Sequence, residues 1–449
     1  MFQNNVNDIM KIKPGSVHDT ITRHMLFSGL KIVIDIKRSG CGYIYDSLSN
    51  QNFLDMFSFF GSSPLRLNHP KMLDREFLDK LNHVAVSKPS NSDFYSVEMA
   101  EFVDTFSRTA IPDFLPHLFL IEGGALAIEN ALKVSFDWKV RKNFLKGYKE
   151  EKGSQVIHFK EAFHGRTGYT MSLTNTDPNK INYFPKFKWP RITNPKLQFP
   201  ITQDVITQVE TQENLAIDEI YTALRENKDD IACLIIEPIQ AEGGDNHFRK
   251  EFFYKLREIC DENEILLIFD EVQTGIGITG KMWAYEHFVK PDIIAFGKKM
   301  QVCGILVSSR IDDVEENCFK KPYRINSTWG GNLTDMVRAK RYLEIIVEDN
   351  LVENAKVVGD YLLNKLIEMQ ADFPNVVSNA RGIGLMCAFD LPSKEFRDEL
   401  KKESFKNKMI ILQCGEKSLR FRPTLDVEKN NIDSAMDILI KSIKSTLNK

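Results

Sequence analysis

The stretch Ile265-Leu266-Leu267-Ile268-Phe269-Asp270-Glu271-Val272-Gln273 is followed downstream by Asp292-Ile293-Ile294-Ala295-Phe296-Gly297-Lys298-Lys299. Each is a short apolar run of buried-strand character that ends in a polar residue able to do chemistry. In open α/β sheets, ligands sit outside the carboxyl ends of the strands. Asp270 and Lys298 are therefore expected at one site.

Working outward, Ile231 to Ile236 is another apolar run, ending in Glu237-Pro238-Ile239-Gln240-Ala241-Glu242-Gly243-Gly244. A helical pattern follows, with Phe253, Leu256 and Cys260 on one side. Run, helix and the strand at Ile265 form a βαβ unit with parallel strands and a right-handed crossover. Gly275-Ile276-Gly277-Ile278-Thr279-Gly280 matches the dinucleotide signature G-x-G-x-x-G. That signature requires its first glycine directly after the strand. Here Asp270 to Thr274 intervene, two of them acidic, and would repel a pyrophosphate. The match is read as a decoy.

A carboxylate at one strand end and a lysine just past another suit pyridoxal phosphate, held as a Schiff base with an acid on its pyridinium nitrogen. Other segments complete such a site. Glu122-Gly123-Gly124-Ala125 opens a helix with Ile128, Leu132, Phe136 and Val140 on one face. Its bare N–H groups make an anion cradle. Val156 to Phe159 reads as a strand, followed by Ala162-Phe163-His164-Gly165-Arg166-Thr167-Gly168. Phe163 and His164 are candidates to stack on a cofactor ring; core packing is the plainer alternative. The Arg166 guanidinium suits a carboxylate, against the alternative of a solvated surface arginine.

The bulk numbers bound the rest. A chain of 449 residues exceeds one core, so two domains are expected. Hydrophobic content of 43% and charged content of 27% are ordinary for a globular protein. A net charge of -3 leaves no footprint for nucleic acid or an anionic membrane. No apolar run nears the ~20 residues that span a bilayer, and residues 1–25 contain no signal-peptide core. Cysteines 41, 233, 260, 303, 318, 387 and 414 form no CxxC pair, which points to free thiols in a reducing cytoplasm and to no zinc or other metal.

Along the remaining chain, residues 1–25 are polar. Ile32 to Ile36 reads as a strand, Ser39 to Gly42 as a turn, and Tyr43 to Asp46 as the return strand. Phe53 to Phe60 reads as a strand running into an ordered loop, with core packing or a channel or dimer wall as its role. Residues 175–230 read as a long surface excursion with one helix. Ile305 to Val307 is a strand, and Ser327 to Asn332 a glycine- and hydroxyl-rich loop. Helical periodicity resumes at Asp335 through Met336, Ala339, Tyr342 and Ile345. Gly382 to Asp390 and Ser418 to Pro423 are strand-like, and Ile432 to Leu447 is an amphipathic helix.

Taken together, these segments resemble the class III (omega-amino acid) aminotransferases of fold type I, from the meander at 31–57 to Arg420. The most specific piece is Phe269 to Gly275 with Gly297-Lys298 downstream. Phe163 to Gly168, Gly297 to Gly304 and Asn326 to Asn332 are most similar to the lysine 6-aminotransferase branch. Arg420 to Pro423 and the double lysine are similar to the 4-aminobutyrate branch as well. The resemblance implies an α/β fold with a large domain, whose mostly parallel seven-stranded sheet is flanked by helices, plus a smaller α+β domain. It implies an N-terminal segment 1–65 contributing to the small domain, a large domain 66–334 and a C-terminal small domain 335–449.

Carried over, the resemblance makes Lys298 the cofactor-bearing lysine, with Lys299 the competing candidate. Asp270 pairs with the pyridine nitrogen, Gln273 lies near the ring hydroxyl, and Phe163 stacks on the ring. Gly124 and Ala125 offer N–H groups to the phosphate, which Thr328 reaches from a partner subunit. Arg166 takes a substrate carboxylate, Glu242 and Arg420 form a switchable pair, and Asn326 joins the substrate-binding set. Many relatives carry a hydroxyl residue where this chain has Gly123-Gly124, so phosphate binding leans more on backbone here. Cys303-Gly304 likewise stands where many have a glycine run.

The implied reaction moves the ε-amino group of L-lysine to 2-oxoglutarate. It gives glutamate and 2-aminoadipate 6-semialdehyde, which cyclises to a piperideine carboxylate. Lys298 is the expected general base, a role that supplies ~10²–10⁴-fold. Glu242, in a Gly-rich loop able to hinge, is expected to neutralise Arg420 while lysine is bound and to swing away for 2-oxoglutarate. Ornithine or 4-aminobutyrate as amine donor, an aminomutase or decarboxylase reaction, and a non-catalytic protein on the same fold are the rival readings. A homodimer or dimer of dimers in the cytoplasm is implied.

Overall fold

The computed structural model describes residues 12–448. Of the polar segment 1–25, residues 1–11 lie outside the described residues; the rest holds a 3-10 turn, Pro14–Ser16, and a short helix, Val17–Thr22.

Two strands come first, β1 (Tyr43–Asp46) and β2 (Gln51–Asp55), paired antiparallel. The expected strand at Ile32 to Ile36 is reduced to one bridge, Ile34 to Asp46. Carboxylates act on the segment's backbone: Asp46 takes the Val33 N donor, and Asp35 accepts from Lys37 N and Arg38 N, turning the chain directly after Ile36. The strand expected through Phe60 also stops early, at Asp55. Ser58, Phe59 and Phe60 then adopt left-handed φ values of 38°, 53° and 60°, followed by Gly61 at 74°. Such a turn costs roughly 1–2 kcal/mol per non-glycine residue. It is held by Asp55 Oδ1, which accepts from Phe57 N and Ser58 N, and by Ser58 Oγ, which donates to Arg422 O.

The central sheet contains β3 (His117–Ile121), β4 (Gln155–Phe159), β5 (Arg191–Ile192), β6 (Ile231–Ile236), β7 (Leu266–Asp270), β8 (Ile293–Phe296) and β9 (Cys303–Val307). Their spatial order is β3-β9-β8-β7-β6-β4-β5. Only β9 runs against the others. The β6–β7 pair is parallel across the helix Lys250–Glu262, as the βαβ reading expects. Alternation shows why the strands are apolar throughout. In β7, Leu266 and Ile268 face one core with the helix Gly124–Leu145, while Leu267 and Phe269 face another with Phe252, Phe253 and Leu256. Segment 175–230 is more than an excursion: besides the helix Gln203–Glu226 it supplies β5, which pairs with β4.

Beyond the central sheet, β10 (Ser378–Ile383), β11 (Met386–Asp390), β13 (Leu412–Cys414) and β14 (Ser418–Arg420) form an antiparallel sheet, while β12 (Met409–Ile410) joins β2. Gly382 to Asp390 is thus not one strand but the turn and second arm of a hairpin. The chain reverses at Gly384 (φ 57°), where a Cβ would lie 2.5 Å from Ile278 O. The glycines of the decoy motif also serve packing. A Cβ on Gly275 would meet Trp283 at 2.6 Å and one on Gly280 would meet Lys356 at 2.8 Å, and no helix opens there. We propose 1–65, 66–334 and 335–449 as the domain plan, with β1 and β2 joining the later segment through β12.

Candidate active site

The parallel strands present their carboxyl ends to one cavity of about 720 Å³. Gly124 and Ala125 follow β3, Phe163 to Arg166 follow β4, and Glu237 to Glu242 follow β6. Asp270 ends β7, with Val272 and Gln273 after it, and Lys298 follows β8. Arg420 reaches the cavity from the end of β14 in the other sheet.

Lys298 has a left-handed φ of 45°, a conformation disfavoured for a side chain with a Cβ and common at functional sites. Its Nζ donates to Phe60 O at 3.2 Å, a carbonyl presented by the left-handed turn. Burial, with Arg420 and Arg422 nearby, pushes its ammonium down to about 8. The competing lysine is placed elsewhere: Lys299 is buried and donates from Nζ to Gly61 O at 2.7 Å.

Asp270 is buried. Its Oδ2 accepts from His164 Nδ1 at 2.8 Å and its Oδ1 from Val272 N at 3.1 Å. His164 therefore supports Asp270, while Phe163 lines the cavity. Glu237 is a second buried carboxyl beside them, accepting from Phe163 N and Ala241 N. Burial pushes it up to about 7, with His164 opposing and Asp270 adding to the shift.

The two arginines differ in state. Arg166 is exposed at the mouth, with no hydrogen bond or ion pair to its guanidinium among the described residues. Arg420 is 1% exposed; its Nη2 donates to Glu242 Oε2 at 2.7 Å, while Nε and Nη1 have no hydrogen-bond partner. Glu242 Oε1 accepts from Lys180 Nζ at 2.6 Å. Burial pushes Glu242 up, but Arg420 and Lys180 outweigh it and hold the carboxyl below its usual range. The loop around Glu242 is not a hinge. Gly415 N donates to Glu242 O, Asp245 N to Ala241 O, and Gln240 pairs with Asn246. A Cβ on Gly243 would lie 2.2 Å from Glu161 O, so its glycine permits close approach. Any movement of Glu242 is therefore side-chain rotation.

Of the expected site residues, Gly124, Ala125, Phe163, Arg166, Glu242, Asp270, Gln273, Lys298 and Arg420 come together. Gln273 Oε1 is 3.4 Å from Arg422 Nε, whose guanidinium pairs with buried Asp245. Asn326 and Thr328 stand apart from the cavity, exposed; Thr328 O accepts from Ser90 Oγ. Phe60 also lines the cavity, in keeping with the channel-wall alternative for Phe53 to Phe60, and so do Glu237, Val272 and Lys180, to which the sequence reading gave no role. Glu237 was findable, since it follows β6 much as Asp270 ends β7. Lys180 stands in a Pro- and Asn-rich segment with no periodic signal.

The residues fit pyridoxal 5′-phosphate. An anion cradle is formed by the N-terminus of a 22-residue helix whose first glycine leaves its amides open. A buried carboxylate braced by histidine suits a protonated ring nitrogen, Phe163 and Val272 supply apolar walls, and a lysine of lowered basicity suits a carbonyl partner.

The model of the family Aminotransferase class-III matches residues 28–443. L-lysine-epsilon aminotransferase of Mycobacterium tuberculosis is 51% identical, over 97% of this chain and 96% of its own length. The Streptomyces clavuligerus protein of the same name is 45% identical, over 97% of this chain and 96% of its own. The solved lysine aminotransferase from M. tuberculosis superposes with a TM-score of 0.95 at 50% identity, covering 97% of this chain and 100% of that one. The chain therefore belongs to the class-III aminotransferase family and is a pyridoxal-phosphate-dependent enzyme of fold type I.

Proposed function

We propose that this aminotransferase acts on the ε-amine of L-lysine and passes it to 2-oxoglutarate. The observation that carries the reading is the unequal state of two arginines. Arg166 has no partner among the described residues, whereas Arg420 is masked by Glu242 but keeps its Nε and Nη1 nitrogens without a hydrogen bond. Lysine brings one carboxylate, far from its reacting amine; 2-oxoglutarate brings two, one beside its keto group. A permanent receptor at the mouth and a conditional one inside match that pair. Likeness to the lysine-epsilon aminotransferases selects lysine among ω-amines.

Bound pyridoxal phosphate supplies the electron sink that makes the C–H bond of the substrate acidic. The chain's residues do the rest. Asp270, braced by His164, holds the ring nitrogen's proton. Lys298 takes up and returns the substrate proton, and Gln273 stands by the ring hydroxyl. Gly124 and Ala125 hold the phosphate through backbone N–H groups. Thr328 and Asn326 are read as contributions to the site of a second copy of this chain, which makes the working unit a homodimer or a dimer of dimers. We place the enzyme in the cytoplasm; its free cysteines, five of them buried, suit a reducing compartment. Among the described residues no helix is long and apolar enough to cross a membrane.

Incubation of the holoenzyme with L-lysine and 2-oxoglutarate tests the reading. Glutamate and a cyclic imine trapped by 2-aminobenzaldehyde are expected in equal amounts. Glutamate without the cyclic product of the 6-semialdehyde would move the reaction from the ε-amine of lysine to its α-amine, and neither product would remove the reaction.

A further inference from the structure

Glu242 sits between two cations, one on each carboxylate oxygen. Oε2 accepts from Arg420 and Oε1 from Lys180. The pair with Arg420 has an evident purpose in the proposed reaction; the pair with Lys180 has none yet. We propose that Lys180 is a positioning residue that retains Glu242 when Arg420 is given up to a substrate carboxylate, and so sets the affinity for the keto acid. The inference rests on the Glu242–Arg420 exchange described under the proposed function.

The geometry suits this role. Lys180 ends the 3-10 turn Pro178–Lys180, whose start is capped by Asp177 accepting from Asn179 N at 2.9 Å. The turn's backbone is closed by Lys180 N donating to Asp177 O. Upstream, the Asn175 side chain bonds Glu161 N, Phe159 O and Leu173 O, tying the segment to the end of β4. Lys180 is thus held independently of Arg420, which hangs from β14. Beyond Glu242 lies a polar cavity of about 650 Å³, which Lys180 and Glu242 also line with Glu161, Lys196 and Asn246. Because the Glu242 backbone is pinned, rotation of its side chain toward that cavity breaks the Arg420 contact and leaves Lys180 within reach. A carboxylate that left Arg420 with no second cation would pay the full cost of an unpaired, partly buried charge. Lys180 removes that cost.

Separate half-reactions of the holoenzyme test the proposal, with L-lysine as donor and 2-oxoglutarate as acceptor, followed by cofactor absorbance. Lys180→Met should raise the half-saturating 2-oxoglutarate concentration about 5- to 10-fold relative to that for lysine, the scale of one charge-assisted hydrogen bond. Lys180→Arg should restore it. In a Glu242→Gln background, Lys180→Met should change nothing further, because no carboxylate remains to be retained. An unchanged ratio, or an effect that persists in the Glu242→Gln background, would overturn the role of Lys180. The Glu242→Gln variant alone reports on the exchange: if it leaves the two half-reactions in their wild-type proportion, the underlying reading fails first.

Discussion

Arg420 Nη2 lies 2.7 Å from Glu242 Oε2, its closest charged partner; Nε and Nη1 have no hydrogen-bond partner, and Asp245, already paired with Arg422, stands 3.9 Å from Nη1. The arginine is neutralised without being used up. Removing the acid exposes it permanently. Glu242→Ala is therefore expected to slow the lysine half-reaction by about 10-fold or more, in line with the cost of leaving one member of a buried charge pair alone. The 2-oxoglutarate half-reaction should change far less. Equal losses in both, measured by stopped-flow absorbance, would contradict the exchange.

The amine of Lys298 is pushed from its ordinary 10.5 down to about 8. Below that value it is protonated and cannot attack an aldehyde; above it, it can. Uptake of pyridoxal phosphate by the apoprotein should accelerate as pH rises through about 8 and then level off. A midpoint near 10 would show that burial and the two arginines do not act on this lysine.

Lysine identity can be separated by substitution. Lys298→Ala should lose at least ~10²-fold in turnover, the lower range for a general base, and should carry no borohydride-reducible cofactor. Lys299→Met should retain that linkage but melt at lower temperature. The substitution removes the Nζ donor to Gly61 O, which helps hold the left-handed turn. Peptide mapping after reduction and a melting curve decide both.

Glu237 bears on stability. Its carboxyl is raised from 4.5 to about 7, so between those values the folded protein keeps a proton that the unfolded chain has lost. Its contribution is complete below pH 4.5 and disappears as pH rises through about 7. Glu237→Gln should remove this dependence, so its Tm relative to wild type should climb from pH 6 to pH 8. A constant difference would rule out a proton on Glu237.

Much of this was legible in the sequence because strands of a doubly covered sheet must be apolar on both faces. Ile231–Ile236, Leu266–Asp270 and Ile293–Phe296 stand out as runs, and Glu237, Asp270 and Lys298, at or just past their ends, fall at the site. The motif at Gly275 was recognisable as a decoy from its distance to the strand. Other features depend on contacts distant in sequence. Asp46, 13 positions away, takes the Val33 N donor that Ile32–Ile36 needed for a strand. The left-handed turn at Phe59 and Phe60 is held in part by Arg422 O, 364 positions from the Ser58 hydroxyl that donates to it, which no local pattern reveals. Lys180 reaches Glu242 across 62 positions. The stiffness of the Glu242 loop also escaped the sequence, because Gly243 permits close approach to Glu161 O and Gly244 a left-handed turn against Asn246, not freedom to hinge.

This site is proposed to transfer the ε-amine of lysine. The most direct measurement is kcat/KM of the holoenzyme for L-lysine, L-ornithine and 4-aminobutyrate, each with saturating 2-oxoglutarate. The highest value is expected for lysine, by about 10-fold or more, a margin of roughly 1.4 kcal/mol in transition-state binding. A higher value for ornithine or 4-aminobutyrate would contradict it.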